Sequence, residues 1–138
     1  LFNTAYKHSI IKNNKLTFIK NKEAEMIKMF KNCFLATKVS FCNEIHEFCE
    51  KKDIDYDAVR SIACSDSRIT PSHSMVPGHD GKFGFGGTCF PKDTASLRYQ
   101  MEMIGQTSYL VKAAVDRNST VDRPEEDWKS NKGRAVNF

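Results

Sequence analysis

No run of about 18 apolar residues occurs in the 138-residue chain, so no segment is expected to span a bilayer. A basic stretch leading into an apolar core is missing as well, which argues against a secretory signal. The chain begins with Leu1 rather than Met, which suggests a piece of a longer chain or a processed product. There are five cysteines, and no two are spaced Cys-x-x-Cys. His8, His46, His73 and His79 form no pair at helical spacing either, so no metal site is expected. An odd number of thiols fits a reducing, cytoplasmic setting with most of them serving as small core residues. The net charge of +4 is mild, and Lys12, Lys15, Lys20 and Lys22 are closely followed by acidic residues. A nucleic-acid footprint needs a denser basic stripe. Internal repeats and low-complexity tracts are also lacking.

Glycine and proline are absent from Glu23 to Lys51. Within that stretch Ile27, Phe30, Phe34, Phe41, Ile45 and Phe48 are three, four or seven apart, and Leu35, Val39, Cys42 and Cys49 widen the apolar face. This pattern predicts one long amphipathic helix of roughly seven or eight turns. So wide a face on so long a helix suggests several neighbours, a second copy of the chain among them. Leu16–Ile19 reads as a short strand or the end of one. Asp55 is suited to cap a second helix from Tyr56 to Cys64, with Ala58, Val59, Ile62 and Ala63 on its apolar side. Pro91 starts a third, with Asp93 in its first turn, Leu97, Met101 and Ile104 repeating, and Gly105 closing it. A fourth runs from Ser108 to Asn118, with Leu110, Val111, Ala114 and Val115 inward. After Ser119 the composition is that of a linker. The fold class is therefore all-α, built on one long helix, with a strand remnant near the N-terminus.

Between the second and third helices, Ser65 to Thr88 is rich in proline and glycine and carries no periodic pattern. Long loops of this kind are often functional. Its end, Phe83-Gly84-Phe85-Gly86-Gly87-Thr88-Cys89-Phe90-Pro91-Lys92-Asp93, delivers a cysteine to the start of a helix. Glycines let the backbone approach a ligand. The helix start and the charge of Lys92 both favour a thiolate at Cys89. A plainer reading is a small buried residue after a glycine turn, and local chemistry leaves both open. The run is not a dinucleotide fingerprint, which needs a preceding strand and a further glycine. Lys28 and Asn32, four apart on the long helix, share a face. A cation beside an amide can hold an oxyanion, although such a pair is also common on a solvated surface.

Gly86-Gly87-Thr88-Cys89-Phe90-Pro91-Lys92-Asp93 resembles the catalytic-cysteine motif of the UDP-glucose/GDP-mannose dehydrogenase family. Ala24-Glu25 followed by Lys28 and Asn32, then Ala36-Thr37-Lys38-Val39-Ser40-Phe41 with Asn43-Glu44, resembles the family's central helix. Asp66-Ser67-Arg68-Ile69 resembles the segment before its active-site loop. Order and spacing agree from about Thr17 to Ile104. The resemblance implies an NAD-dependent oxidation of a nucleotide sugar, with UDP-glucose favoured and GDP-mannose the alternative. The C6 alcohol would become a carboxylate in two hydride transfers through a cysteine thiohemiacetal and thioester. Cys89 would be the nucleophile, Lys28 and Asn32 would stabilise the oxygen at C6, and Asp93 would position Lys28 or the attacking water. Asp80, Phe83, Gly84, Phe85 and Gly86 would wrap the substrate, with loop N–H groups on it, and Arg68 would reach substrate across a dimer interface. Cys89 and Lys92 would lie beside the NAD cofactor.

The same resemblance divides the chain into a connector from a dinucleotide-binding domain (1–20), a helical central domain (21–118) with its catalytic loop at 65–90, and a linker toward a C-terminal nucleotide-sugar-binding domain (119–138). Gly133-Arg134-Ala135-Val136 resembles the run into the first strand of that domain. The expected partners are the nucleotide sugar and a second copy through the long helix. The 138 residues alone are expected to reduce no NAD. A reading from another class is a non-catalytic helical dimerisation module.

Overall fold

A single uninterrupted helix of 31 residues, Asn21–Lys51 (α2), runs the length of the computed structural model, which describes residues 1–13 and 15–130. Before it stands a short α1, Phe2–Lys7; after it come α3, Tyr56–Ala63, α4, Phe90–Met103, and α5, Tyr109–Arg117. Two further turns follow, a π-helical one at Asn118–Asp122 and a 3-10 one at Asp127–Ser130. No strand occurs among the described residues, in keeping with an all-α fold. Leu16–Ile19 is therefore not a strand. A strand needs a neighbour to complete its hydrogen bonds, and these residues lie exposed without one, with Phe18 91% exposed.

Local chemistry explains the helix ends. The Lys20 N–H donates to Glu23 Oε2 at 3.0 Å across the first turn of α2. Asp55 caps α3 as expected, its Oδ1 accepting from the Ala58 N–H at 3.1 Å. Helix α4 begins at Phe90, so Pro91 occupies the second position, where its missing N–H still costs nothing. Gly105 ends α4 with φ +75°, a backbone conformation that favours glycine.

Helix α2 packs chiefly against α4 and α5. The face it turns inward is made of small residues: Cys33, Ala36, Ser40 and Asn43 are all buried. They are spaced three, four and three apart, a helical stripe that lets backbones approach closely. Ser40 Oγ donates to the Ala114 carbonyl on α5 at 3.2 Å. Cys42 and Cys49 lie on a neighbouring strip and form a second cluster with Tyr56 and Val76, and Tyr56 donates its hydroxyl to the Ser74 carbonyl at 2.7 Å. The large residues that announce the helix in the sequence sit elsewhere. Ile27, Phe34, Phe41 and Phe48, one every seven residues, are 44%, 61%, 62% and 54% exposed, and Phe30 stacks on Phe34 in the same stripe.

Other faces expected to be inward are not covered within the chain. On α3, Val59 and Ile62 are exposed while Tyr56 is buried; on α5, Leu110 is exposed and Ala114 buried. Helix α3 packs on α2, and α5 packs on both α2 and α4, through few buried positions, and the large apolar residues beside those positions stay exposed. The stretch with linker composition is packed at least as far as Ser130: Asn118, Arg123 and Trp128 are buried. Gly133-Arg134-Ala135-Val136 lies outside the described residues.

Candidate active site

The packing of α2 on α4 gathers three polar side chains around one buried carboxylate. Asp93 lies in the first turn of α4 and is 4% exposed. Asn32 Nδ2 donates to its Oδ2 at 2.5 Å, and Lys92 Nζ to its Oδ1 at 2.6 Å. Lys28 Nζ stands 3.7 Å from Oδ2. Burial pushes the Asp93 carboxyl up, but hydrogen bonds from Lys92 and Asn32 outweigh it and hold the group below the usual range. Lys92 is pushed up, first by its hydrogen bond to Asp93, and it also feels Lys28 and the Cys89 thiol. The two residues read as an oxyanion pair, Lys28 and Asn32, thus share a partner with the helix that Cys89 introduces. Each amide nitrogen has two N–H groups, so Asn32 retains one beyond the bond to Asp93.

Cys89 is the residue immediately before α4 and is the one exposed cysteine among the five. Its carbonyl accepts the Asp93 N–H at 2.9 Å, which fixes the thiol-bearing residue to the carboxylate cluster. Cys33 provides the contrast: it is buried against the Asp93 carbonyl, and desolvation, reinforced by the Asp93 charge, pushes its thiol up to about 11. A thiol in that state is a poor nucleophile. Cys89 is therefore not the small buried residue of the plainer reading.

The glycine loop borders an open cleft of about 640 Å³, whose lining includes His79, Asp80, Gly84, Phe85, Gly86 and Phe90 but none of Lys28, Asn32, Cys89, Lys92 and Asp93; Phe90, the neighbour of Cys89, is the link between the two. The loop backbone is gripped from behind. The Gly84 N–H donates to Asn43 Oδ1 at 3.1 Å and the Phe85 N–H to Asn118 Oδ1 at 2.7 Å. Those two N–H groups face protein, so the loop offers an anion fewer donors than its glycine content suggests. Gly84 has φ +65°, and a Cβ there would stand 2.3 Å from Asn118 Oδ1; a Cβ on Gly86 would stand 2.6 Å from the Arg123 guanidinium carbon. Close approach requires glycine at both positions, and at Gly84 the positive φ adds to that requirement. Phe85 is buried, whereas Phe83 is half-exposed with its ring edge-on to His46. The Asp80 carboxylate is paired with Arg123 at 2.8 Å.

Arg68 is not brought to this cleft. Its side chain is 85% exposed and forked onto Asp66 at 2.6 Å. It lines a separate apolar groove of about 410 Å³ between α2 and α3, beside Phe34, Phe41 and Tyr56. Sequence reasoning also passed over Asn118, Asp122 and Arg123. The one available signal was the i, i+4 spacing of Arg123 and Asp127, which do pair at 2.8 Å.

The profile of the UDP-glucose/GDP-mannose dehydrogenase family, central domain, matches residues 22–120. The chain belongs to this family. A UDP-glucose 6-dehydrogenase, TuaD, of Bacillus subtilis is 37% identical over 120 residues, covering 83% of this chain and 25% of the relative. A UDP-glucose 6-dehydrogenase of Pseudomonas aeruginosa is 40% identical over 98 residues, covering 71% and 20%. A second Bacillus subtilis protein, UDP-glucose 6-dehydrogenase YwqF, is 41% identical over 98 residues, covering 71% and 21%. The chain thus spans a quarter or less of the length of these curated relatives. The matched region of this dehydrogenase-family chain contains α2, the glycine loop, Cys89 and the Asp93 cluster. No described helix is long and apolar enough to cross a membrane.

Proposed function

We propose that this chain supplies the cysteine-bearing part of a nucleotide-sugar 6-dehydrogenase site, with UDP-glucose as the favoured substrate. The observation that carries the proposal is the convergence of Lys28, Asn32, Lys92 and Asp93 at the helix start that presents Cys89. In this reading the Cys89 thiolate adds to a C6 aldehyde. A carbon–sulfur bond forms and the carbonyl electron pair moves to oxygen. Lys28 and the free N–H of Asn32 stabilise that oxyanion, each donor contributing on the order of several kcal/mol in a preorganised site. Holding the aldehyde covalently keeps it from escaping or hydrating between oxidations. Asp93 keeps Asn32 and Lys28 aimed at the same point. Asp80, Phe83, Gly84, Phe85 and Gly86 form the wall for the sugar nucleotide.

A hydride acceptor is required, and NAD is the one the family resemblance implies. The described residues contain no strand–turn–helix cradle for a dinucleotide, and they do not by themselves fit one. Cys89 and Lys92 are the residues this reading places beside the nicotinamide. Arg68 acts in this reading from a second copy, since its own cleft is out of its reach. The phenylalanine stripe of α2 supports a homodimer: four apolar residues at seven-residue intervals are a packing seam for another helix.

That stripe also favours the second reading, a non-catalytic dimerisation module. Cys89→Ser in a full-length dehydrogenase carrying these residues separates the two. The proposal expects uronate formation to fall by about 10³-fold or more with the dimer intact. Retained turnover, or loss of the dimer alone, rejects the catalytic role.

A further inference from the structure

We propose that Asn118, on the turn that follows α5, is a positioning residue for Cys89; the inference deepens the reading above and rests on it. Asn118 is 1% exposed. Its amide makes both hydrogen bonds that one peptide unit would make to another: Oδ1 accepts the Phe85 N–H at 2.7 Å, and Nδ2 donates to the Phe85 carbonyl at 2.9 Å. The Phe85 ring in turn meets the Phe90 ring edge to face at 6.2 Å, and Phe90 is the first residue of α4, next to Cys89. A continuous path of contact therefore leads from Asn118 through Phe85 and Phe90 to the thiol.

The surroundings fit a purpose-built clamp rather than an incidental contact. The Arg117–Asp122 segment leaves the α-helical ladder for a π turn, closed by the Arg123 N–H donating to the Asn118 carbonyl at 2.8 Å. Such turns concentrate at functional positions. The extra residue brings Arg123 against Gly86, where the Asp80 and Asp127 carboxylates hold its buried guanidinium. Asn43 of α2 accepts the neighbouring Gly84 N–H. Three consecutive loop residues are thus fixed by side chains from two segments far apart in sequence. A loop set in advance spares the site the ordering cost when ligand arrives.

The test uses the 138-residue chain, well below its melting temperature. The pH profile of Cys89 alkylation by iodoacetamide and the hydrogen exchange of the Phe85 amide are measured for the parent, Asn118→Ala and Asn118→Asp. The expected result for Asn118→Ala is exchange faster by about tenfold or more, together with a Cys89 rate at neutral pH changed by about threefold, or half a pH unit along its profile. Asn118→Asp keeps an acceptor for the Phe85 N–H but sets a carboxylate against the Phe85 carbonyl, so at neutral pH its exchange should be at least as fast as that of Asn118→Ala. Phe90→Leu, which leaves the clamp untouched, should move the Cys89 profile while the Phe85 amide stays protected. A purely structural Asn118 would lower the melting temperature and leave the Cys89 profile of the folded protein unmoved, and that outcome overturns the inference. Failure of the underlying reading looks different: in the parent itself, Cys89 would react no faster than the half-buried Cys64.

Discussion

Removing the Asp93 carboxylate is the sharpest test of how the cluster is held together. Asp93→Ala deletes the acceptor for Asn32 and the counter-charge for Lys28 and Lys92. The two lysines are 60% and 44% exposed, so they regain water and their share of the loss is small. The dominant loss is the charge-assisted bond from Asn32, worth about 1.5–3 kcal/mol, and with a small void the total comes to about 2–3 kcal/mol. For a chain of this size that is a fall in melting temperature of about 6–15 °C, read by circular dichroism at pH 7. Asp93→Asn keeps an oxygen for Asn32 and should lose about half as much. The pH dependence follows from the direction of the shift. The folded carboxyl is held below its ordinary value, so its contribution is complete above the unfolded value and disappears as pH falls through the folded one. The gap between parent and Asp93→Asn should therefore be widest near neutrality and close in acid. A melting temperature for Asp93→Ala within about 2 °C of the parent, or a gap that widens in acid, would refute this account of the cluster.

The loop glycines should separate by their surroundings: Gly84→Ala, strained at φ +65° and clashing with Asn118, should destabilise by more than about 2 kcal/mol, whereas Gly87→Ala, at φ +72° with nothing within 4 Å, should cost about 1–2 kcal/mol, both read by chemical denaturation. Asp127 is held low by its bonds from Arg123 and then Lys82; at Asp80 burial pushes the carboxyl up, but the Arg123 bond and charge and the backbone N–H groups together outweigh it and hold the group low. Their ties to the loop should persist at neutral pH and fail as pH drops below the ordinary carboxylate range, so Arg123→Leu should flatten the acid limb of a stability profile. Phe41→Asp should abolish self-association in sedimentation velocity while leaving the helix content of the chain unchanged, because Phe41 is 62% exposed within one copy. In a peptide map after brief alkylation at pH 7, Cys89 should carry label first and Cys33, Cys42 and Cys49 last, in line with their burial.

Much of this architecture was legible because it is local. The 23–51 stretch without glycine or proline, the Asp55 cap, Pro91 and Gly105 each settle a boundary by short-range chemistry, and the structure has them within two residues of the expected places. The convergence of Lys28, Asn32 and Asp93 was legible only through a resemblance, since nothing in spacing alone relates position 32 to position 93. What escaped was tertiary. Large apolar residues dominate any reading of periodicity, yet Ala36 and Ser40 are what α2 buries, and small residues give little signal until a second helix lies on them. Leu16–Ile19 has strand composition without a strand to pair with. Asn118 reads as the end of a helix and Arg123 as linker, and the burial of both depends on a loop more than thirty residues away.

Helix α2 carries three distinct strips on one rigid rod. The small-residue strip holds α4 and α5, the Lys28–Asn32 edge borders that strip and reaches Asp93, and the phenylalanine stripe lies about a third of a turn away from it. Because a helix has no freedom to rotate one strip against another, a second copy docked on the phenylalanines would fix the frame in which Lys28 and Asn32 are aimed. The groove that Arg68 lines shares Phe34 and Phe41 with that stripe, so covering one necessarily crowds the other. An arginine lying idle on its own copy's surface, paired only with Asp66, is therefore placed at the boundary that a partner would occupy. This is why Arg68→Ala is informative only beside Phe41→Asp: if the arginine serves a neighbouring site, the two changes should weaken nucleotide-sugar binding by the same factor in a full-length protein, and combining them should add nothing.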